Sequence, residues 1–150
     1  MASKKILAIV IAIVVIIAVV GVAVAFYILS SLNASFGEAE NSINSFLSSV
    51  NNYDVEASWN LMSSDLQAFY GSRSDWNSSI LDGLKQANWQ ATLKQVSSKS
   101  IETNNGVTTA TYVVTLQIDE LGEDTRDETY TFNLVKTGDQ WKIDDWRVGA

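Results

Sequence analysis

The chain has no cysteine, no histidine and no proline in 150 residues. Without cysteine there is no disulfide framework, no thiolate nucleophile and no zinc–thiolate site. Without histidine, the commonest general base and the commonest transition-metal ligand are both missing. A serine hydrolase triad is therefore impossible, and no G-x-S-x-G stretch occurs. Nothing points to a Ser–Lys dyad in its place. The lack of proline argues against a Pro-rich linker. No catalytic constellation, cofactor site or metal site is expected from what remains.

Positive charge is also scarce. The formal charge is −7, and beyond Lys4 and Lys5 the chain carries 8 basic against 17 acidic residues, a balance of −9. An acidic domain repels nucleic-acid phosphates, so no nucleic-acid partner is expected. The plain consequence of that charge is solubility.

What the chain does have is a long apolar run, "ILAIVIAIVVIIAVVGVAVAFYIL", Ile6 to Leu29, with no charged residue and one glycine, Gly21. As a helix it spans about 36 Å, enough for a hydrocarbon core of about 30 Å. Lipid offers the backbone no hydrogen-bond partner, so a single segment crosses as a helix whatever its β-branched content. Lys4 and Lys5 precede it and no basic residue follows until Arg73, which predicts an inside amino terminus. Phe26 and Tyr27 then fall at the outer interface. The expected organisation is a cytoplasmic tail at 1–5, a transmembrane helix at 6–29, a tether at 30–37 and an extracytoplasmic domain at 38–150. The lipid bilayer is the partner of Ile6 to Leu29.

Two alternatives compete. Ala23-Val24-Ala25 supplies an A-x-A cleavage pattern after a basic start, but the run is longer than a signal-peptide core and continues to Leu29. A filament subunit, whose apolar helix packs against its own copies, is the other. The amino terminus resembles that of archaeal type IV pilins in its short basic leader and apolar helix. It differs in that Lys5 meets Ile6 directly, without the Gly or Ala of their processing site.

Beyond the small-residue stretch Ser30 to Glu40 the period is helical. Ile43, Phe46, Leu47 and Val50 form one stripe, which Asn51-Asn52 ends. Asp54 is a cap for a second helix carrying Val55, Trp59, Met62, Leu66, Phe69 and Tyr70, which Ser63-Ser64-Asp65 divides, with Ser64 as the new cap. Gly71 closes it. A third helix, capped by Ser74, places Trp76, Ile80, Leu84 and Ala87 on one face. After Ala87 the period becomes two. Trp89, Ala91 and Leu93 open a first strand, and Asn105-Gly106 is a hairpin turn. Ala110, Tyr112, Val114, Leu116 and Ile118 face inward on the second strand, as do Tyr130, Phe132 and Leu134 on the third. Helices followed by antiparallel strands, each with one apolar side, predict an α+β fold: three helices packed on a curved four-stranded antiparallel sheet.

The closing stretch "GDQWKIDDWRV" loses its alternation at Asp144-Asp145. Trp141 and Ile143 are in one phase, Trp146 and Val148 in the other. One extra residue there, a β-bulge, restores a single packed side and bends the sheet.

This helix order, together with "YDVEASWNLMSSDLQAFYG" and "DQWKIDDWRV", resembles the nuclear transport factor two-like superfamily, the cone fold shared with ketosteroid isomerase and scytalone dehydratase. The resemblance covers roughly Glu38 to Val148 and looks most like exported members of unassigned function. It implies a conical pocket between sheet and helices, and dimers formed through the exposed sheet face. Enzymes of that superfamily use an Asp or His base with Tyr or Asp oxyanion donors. Here histidine is absent, and no Asp lies at an inward position of the second or third strand.

The candidate pocket lining is Trp59, Trp89, Tyr112 and Tyr130, with phenolic hydroxyls to orient a hydrophobic ligand. Asp145 joins them if either carboxylate of the pair points into the cone. Core packing is the competing role for these aromatics. A second candidate is the outward face Thr109, Thr111, Val113, Thr115, Thr129 and Thr131, which is neutral and β-branched where a solvated sheet usually carries charge. It is an interaction surface for a second copy or a protein partner. The acidic loop Asp119, Glu120, Glu123, Asp124, Asp127 and Glu128 has the chemistry of a weak calcium site but not the EF-hand spacing, and Arg126 competes inside it. Two N-x-[ST] triplets, at Asn33 and Asn77, lie in the part expected outside, although such triplets arise readily in a Ser- and Asn-rich chain.

Overall fold

The computed structural model describes the backbone of residues 2–149 and the side chains of residues 16–149. The side chains of Lys4, Lys5 and residues 6–15, to which the first half of the apolar run belongs, lie outside the described residues. Two compact units are present, residues 1–35 and 36–150.

Helix α1 runs over Ala2–Asn51. The tether expected at 30–37 is therefore helical. Ser30 and Ser31 donate their hydroxyls to the carbonyls of Tyr27 and Ile28, both at 2.9 Å, so their polar groups are satisfied without leaving the helix. Gly37 costs a helix only about 1 kcal/mol against alanine, and extending an existing helix needs no new nucleus. In the second unit, α1 buries the expected stripe, Ile43, Phe46, Leu47 and Val50, with Ala39 added one turn earlier.

Helices α2 (Val55–Leu61) and α3 (Ser64–Tyr70) are the two pieces of the divided second helix. Asp54 caps α2 by accepting from the Ala57 amide at 2.9 Å. The cap of α3 is Ser63 rather than Ser64, with Ser63 Oγ accepting from the Leu66 amide at 3.0 Å. Gly71, at φ 88°, ends α3 in the left-handed region where a side chain would be strained.

The third helix starts earlier than its composition suggests. Ser72, not Ser74, caps it through the Asp75 amide, and it runs as α4 (Arg73–Trp76), a π-helical turn (Asn77–Leu81) and α5 (Asp82–Gln86). The π turn moves the buried face by one residue. Trp76 and Leu81, five apart, are fully buried, while Ile80 is only partly covered.

Strands β1 (Gln90–Asn104), β2 (Val107–Asp119), β3 (Arg126–Thr137) and β4 (Gln140–Val148) form one antiparallel meander in the order β1-β2-β3-β4. Asn105 and Gly106 both have positive φ, as the tight hairpin turn requires. The inward residues meet in register, Tyr112 opposite Phe132, Val114 opposite Tyr130 and Ala110 opposite Leu134. Two irregularities in β1 and one in β4 bend the sheet over the helices.

The β4 irregularity is the expected bulge. Leu134 pairs with Ile143 and Asn133 with Asp145, which leaves Asp144 as the extra residue and brings Trp146 opposite Phe132. Trp146 thereby becomes the centre of an aromatic cluster. It lies 5.5 Å from Phe46, 6.2 Å from Tyr130, and 6.4 Å from both Phe132 and Trp89.

Candidate functional site

The bulge positions two side chains differently. Asp144 turns toward the helices, where its Oδ1 accepts from the Ser63 hydroxyl at 2.6 Å. The Ser63 amide in turn donates to the Ile143 carbonyl at 2.7 Å, and Met62 bridges Ile143 in parallel. One buried serine thus caps α3 and ties it to the bulge. A hydrogen bond of this charged kind contributes about 1.5–3 kcal/mol.

Asp145 is the carboxylate named as the pocket candidate should either of the pair point into the cone. It stands instead opposite Asn133 on the outer row, accepting from Asn133 Nδ2 at 3.4 Å and from Arg147 at 2.6 Å. The reason is the bulge itself, because inserting Asp144 restarts the alternation at the next residue. Since β4 is a sheet edge, Asp145 still borders the cleft that opens between α3 and β4.

That cleft has a volume of about 370 Å³ and is lined by Asp65, Leu66, Phe69, Tyr70, Asp144, Asp145 and Trp146. Helical spacing brings Asp65, Leu66, Phe69 and Tyr70 to one side of α3. Phe69 is 79% exposed. It meets Tyr70 edge-on at 5.2 Å, and Tyr70 packs on Trp76 at 4.7 Å. Burial pushes the Tyr70 phenol up, a hydrogen bond with Trp146 opposes that, and the Asp145 charge adds to it. Periodicity places Leu66, Phe69 and Tyr70 only as core positions. The one available signal is that Phe69 and Tyr70, at adjacent helical positions, cannot both face fully inward.

The residues expected to line a pocket are placed otherwise. Trp89, Tyr112 and Tyr130 are buried in the core, and Trp59 packs half-buried at its margin. Tyr112 donates its hydroxyl to the Phe36 carbonyl at 2.7 Å, and Tyr130 reaches Glu128 at 3.3 Å. Their hydroxyls are thus engaged by the protein itself, and the cone interior around them is filled by side chains.

Burial raises both phenols to about 12, assisted by the charge of Glu40 at Tyr112 and of Glu128 at Tyr130. A folded-state value above the ordinary one of about 10 means that the folded chain holds these protons longer than the unfolded chain. Their contribution is whole below pH about 10 and is lost as pH rises toward 12. Stability measured by urea titration should therefore fall between pH about 10 and 12. Tyr112→Phe should flatten that fall, and an unchanged slope would refute the assignment.

On the outer sheet face the register brings the predicted neutral residues together. Thr111 lies opposite Asn133, Val113 opposite Thr131 and Thr115 opposite Thr129, with Thr109 one pair further along. Thr109, Thr111 and Thr129 are exposed, while Val113 and Thr115 are half-buried. Thr131 departs from the expectation. It is buried, with its hydroxyl donating to the Gly149 carbonyl at 2.7 Å as the chain end passes over it.

The acidic loop is largely engaged by its own neighbours. Arg126 bridges Glu120 and Glu128 at 2.8 and 2.7 Å, Lys94 pairs with Asp127 at 2.7 Å, and Thr125 bonds Asp119. Among the described residues no group of three or more acidic side chains is placed to hold a metal ion.

No family model matches the chain, and no curated protein matches its sequence. Solved structures do resemble it. A protein of unknown function from Mycobacterium tuberculosis superposes with a TM-score of 0.57 at 13% identity, over 81% of this chain and 74% of that one. An NTF-2-like protein of unknown function from Shewanella oneidensis gives 0.56 at 12% identity, over 77% of this chain and 99% of that one. A candidate scytalone dehydratase from Novosphingobium aromaticivorans gives 0.55 at 14% identity, over 81% and 88%. At such identities the likeness concerns the fold, which serves proteins of unknown function and proteins named as enzymes alike. The chain carries an apolar amino-terminal helix and the α+β cone fold of nuclear transport factor two-like proteins.

Proposed function

We propose that this chain is a single-pass, membrane-anchored extracytoplasmic binding module whose first partner is a second copy of itself. The observation that carries the reading is the apolar helix. Among the described residues its apolar stretch from Ile16 onward is long and apolar enough to cross a bilayer and is unburied by any other part of the chain. Ile17, Val22 and Phe26 stand 65%, 71% and 74% exposed. An unbroken apolar surface of this kind is stable only against lipid or against other apolar surface. Lys4 and Lys5 favour an amino terminus on the cytoplasmic side and a domain outside.

The outer sheet face supplies the contact between copies. A soluble portion with a balance of −9 repels its own kind wherever charged surfaces approach. The strip Thr109, Thr111, Val113, Thr115 and Thr129 is where two copies meet without opposing like charges. Buried Tyr112 and Phe132, with partly buried Trp146 packed against them, fill the cone interior and leave binding to the outer surfaces.

Full-length protein in native membranes should resist alkaline carbonate and be released by detergent. Protease added from outside should remove the domain. In maltoside micelles the chain should sediment as a dimer, and Val113→Asp should convert it to a monomer. Release without detergent would overturn the anchor. Lipid-free filaments at the cell surface would establish instead the assembly role that a self-packing helix allows.

A further inference from the structure

The cleft between α3 and β4 has a composition that selects among ligands. Its walls carry three aromatic side chains, Phe69, Tyr70 and Trp146, and three carboxylates, Asp65, Asp144 and Asp145. Arg147, outside the lining, pairs with Asp145 at 2.6 Å. Asp144 is held by a hydroxyl, which leaves its charge uncompensated, and Asp65 has no ion-pair partner among the described residues. An anion entering here would meet excess negative charge. A neutral apolar molecule would gain the rings but leave the carboxylates beside it poorly solvated.

A cation answers both. Aromatic faces attract positive charge through their quadrupole, most of all Trp, and carboxylates add direct attraction. The carboxylates also do not converge: no three acidic groups among the described residues are placed to hold a metal ion. Spread around rings rather than gathered to a point, they suit a bulky, diffuse charge and not a small hard ion, which needs several oxygens within about 2.6 Å. A cleft of about 370 Å³ is at the small end of ligand sites.

We infer that this cleft binds a small organic ammonium ion, its alkylated nitrogen seated among Phe69, Tyr70 and Trp146 and its charge balanced by Asp65 and Asp144. The inference is independent of self-association, because the cleft lies at the β4 edge and Val113 in the central strand β2. Phe69 is the informative wall. Its exposed ring has little part in the core, so truncating it leaves the fold intact, whereas changing Trp146 would disturb the aromatic cluster.

The test uses the full chain in maltoside micelles, with choline as the probe and 3,3-dimethylbutan-1-ol as its uncharged isostere. The Trp146 indole N–H resonance reports occupancy. Choline should shift it saturably, and should bind at least about tenfold more tightly than the alcohol. Phe69→Ala should weaken choline several-fold, and Asp65→Asn about tenfold, with unchanged folding and unchanged dimerisation. Equal binding of the alcohol, no saturable shift, or wild-type affinity in both variants would overturn the site. A lysine-containing peptide binding more tightly than choline would overturn the assignment to a free small cation.

Discussion

Trp76→Ala should lower the stability of the domain by about 3–5 kcal/mol, a large part of the roughly 5–15 kcal/mol that a domain of this size possesses. Trp76 is fully buried, packing on Phe46 at 6.3 Å and Tyr70 at 4.7 Å. Its indole N–H donates to Ser58 Oγ at 2.9 Å, and Ser58, equally buried, donates to the Asp54 carbonyl at 2.7 Å. Truncation would open a cavity at the junction of α1, α3 and α4, and it would also leave the serine without its donor. Trp76→Phe separates the two effects, since it keeps much of the ring volume and loses chiefly the hydrogen bond. It should cost about 1–3 kcal/mol. Urea denaturation followed by circular dichroism gives both values. A loss under about 1 kcal/mol for Trp76→Ala would show that this tryptophan does not hold the helices to the core.

The second large effect comes from two valines next to each other. Val114→Asp should prevent folding, while Val113→Asp should leave the fold standing and abolish self-association. Val114 is fully buried, opposite Tyr130 on β3 and Val96 on β1. A carboxylate there has no partner: buried as an ion it costs several kcal/mol, and taking up a proton removes the charge but still leaves an unpaired polar group. Val113 belongs to the outer face, between Ser98 and Thr131, and its side chain reaches water. Substitution there should change stability by no more than about 1 kcal/mol. Sedimentation in maltoside and a thermal melt on each variant distinguish the outcomes. If Val113→Asp unfolds the chain as fully as Val114→Asp, the outer face is structural and not a docking surface.

The alternation that makes this contrast possible is legible from the order of residues alone. A strand turns successive side chains to opposite faces, so Ala110, Tyr112, Val114, Leu116 and Ile118 announce their side without reference to any other segment. The same local logic places the Asp54 cap, the Asn105-Gly106 turn and the Gly71 terminus. It also locates the β4 bulge, because a single inserted residue is what shifts the phase of bulky side chains along a strand. Local logic goes astray where two candidates stand close together. Ser63 and Ser64, or Ser72 and Ser74, differ little as caps in isolation. What selects Ser63 is Asp144, 81 positions away, which accepts its hydroxyl proton.

Sequence alone, then, determined the apolar helix, the order of helices and strands, the inward face of the central strands and the existence of a bend at Asp144-Asp145. Each of these follows from periodicity or backbone preference within a few residues. Only the tertiary structure decided which aspartate turns toward the helices and that the π turn buries Leu81. It alone gathered Phe46, Trp89, Tyr130 and Phe132 around Trp146, and made Trp89, Tyr112 and Tyr130 core while leaving Phe69 exposed. Those outcomes depend on which distant surfaces meet. A cleft is formed by side chains from separate segments, and neither α3 nor β4 carries its shape alone.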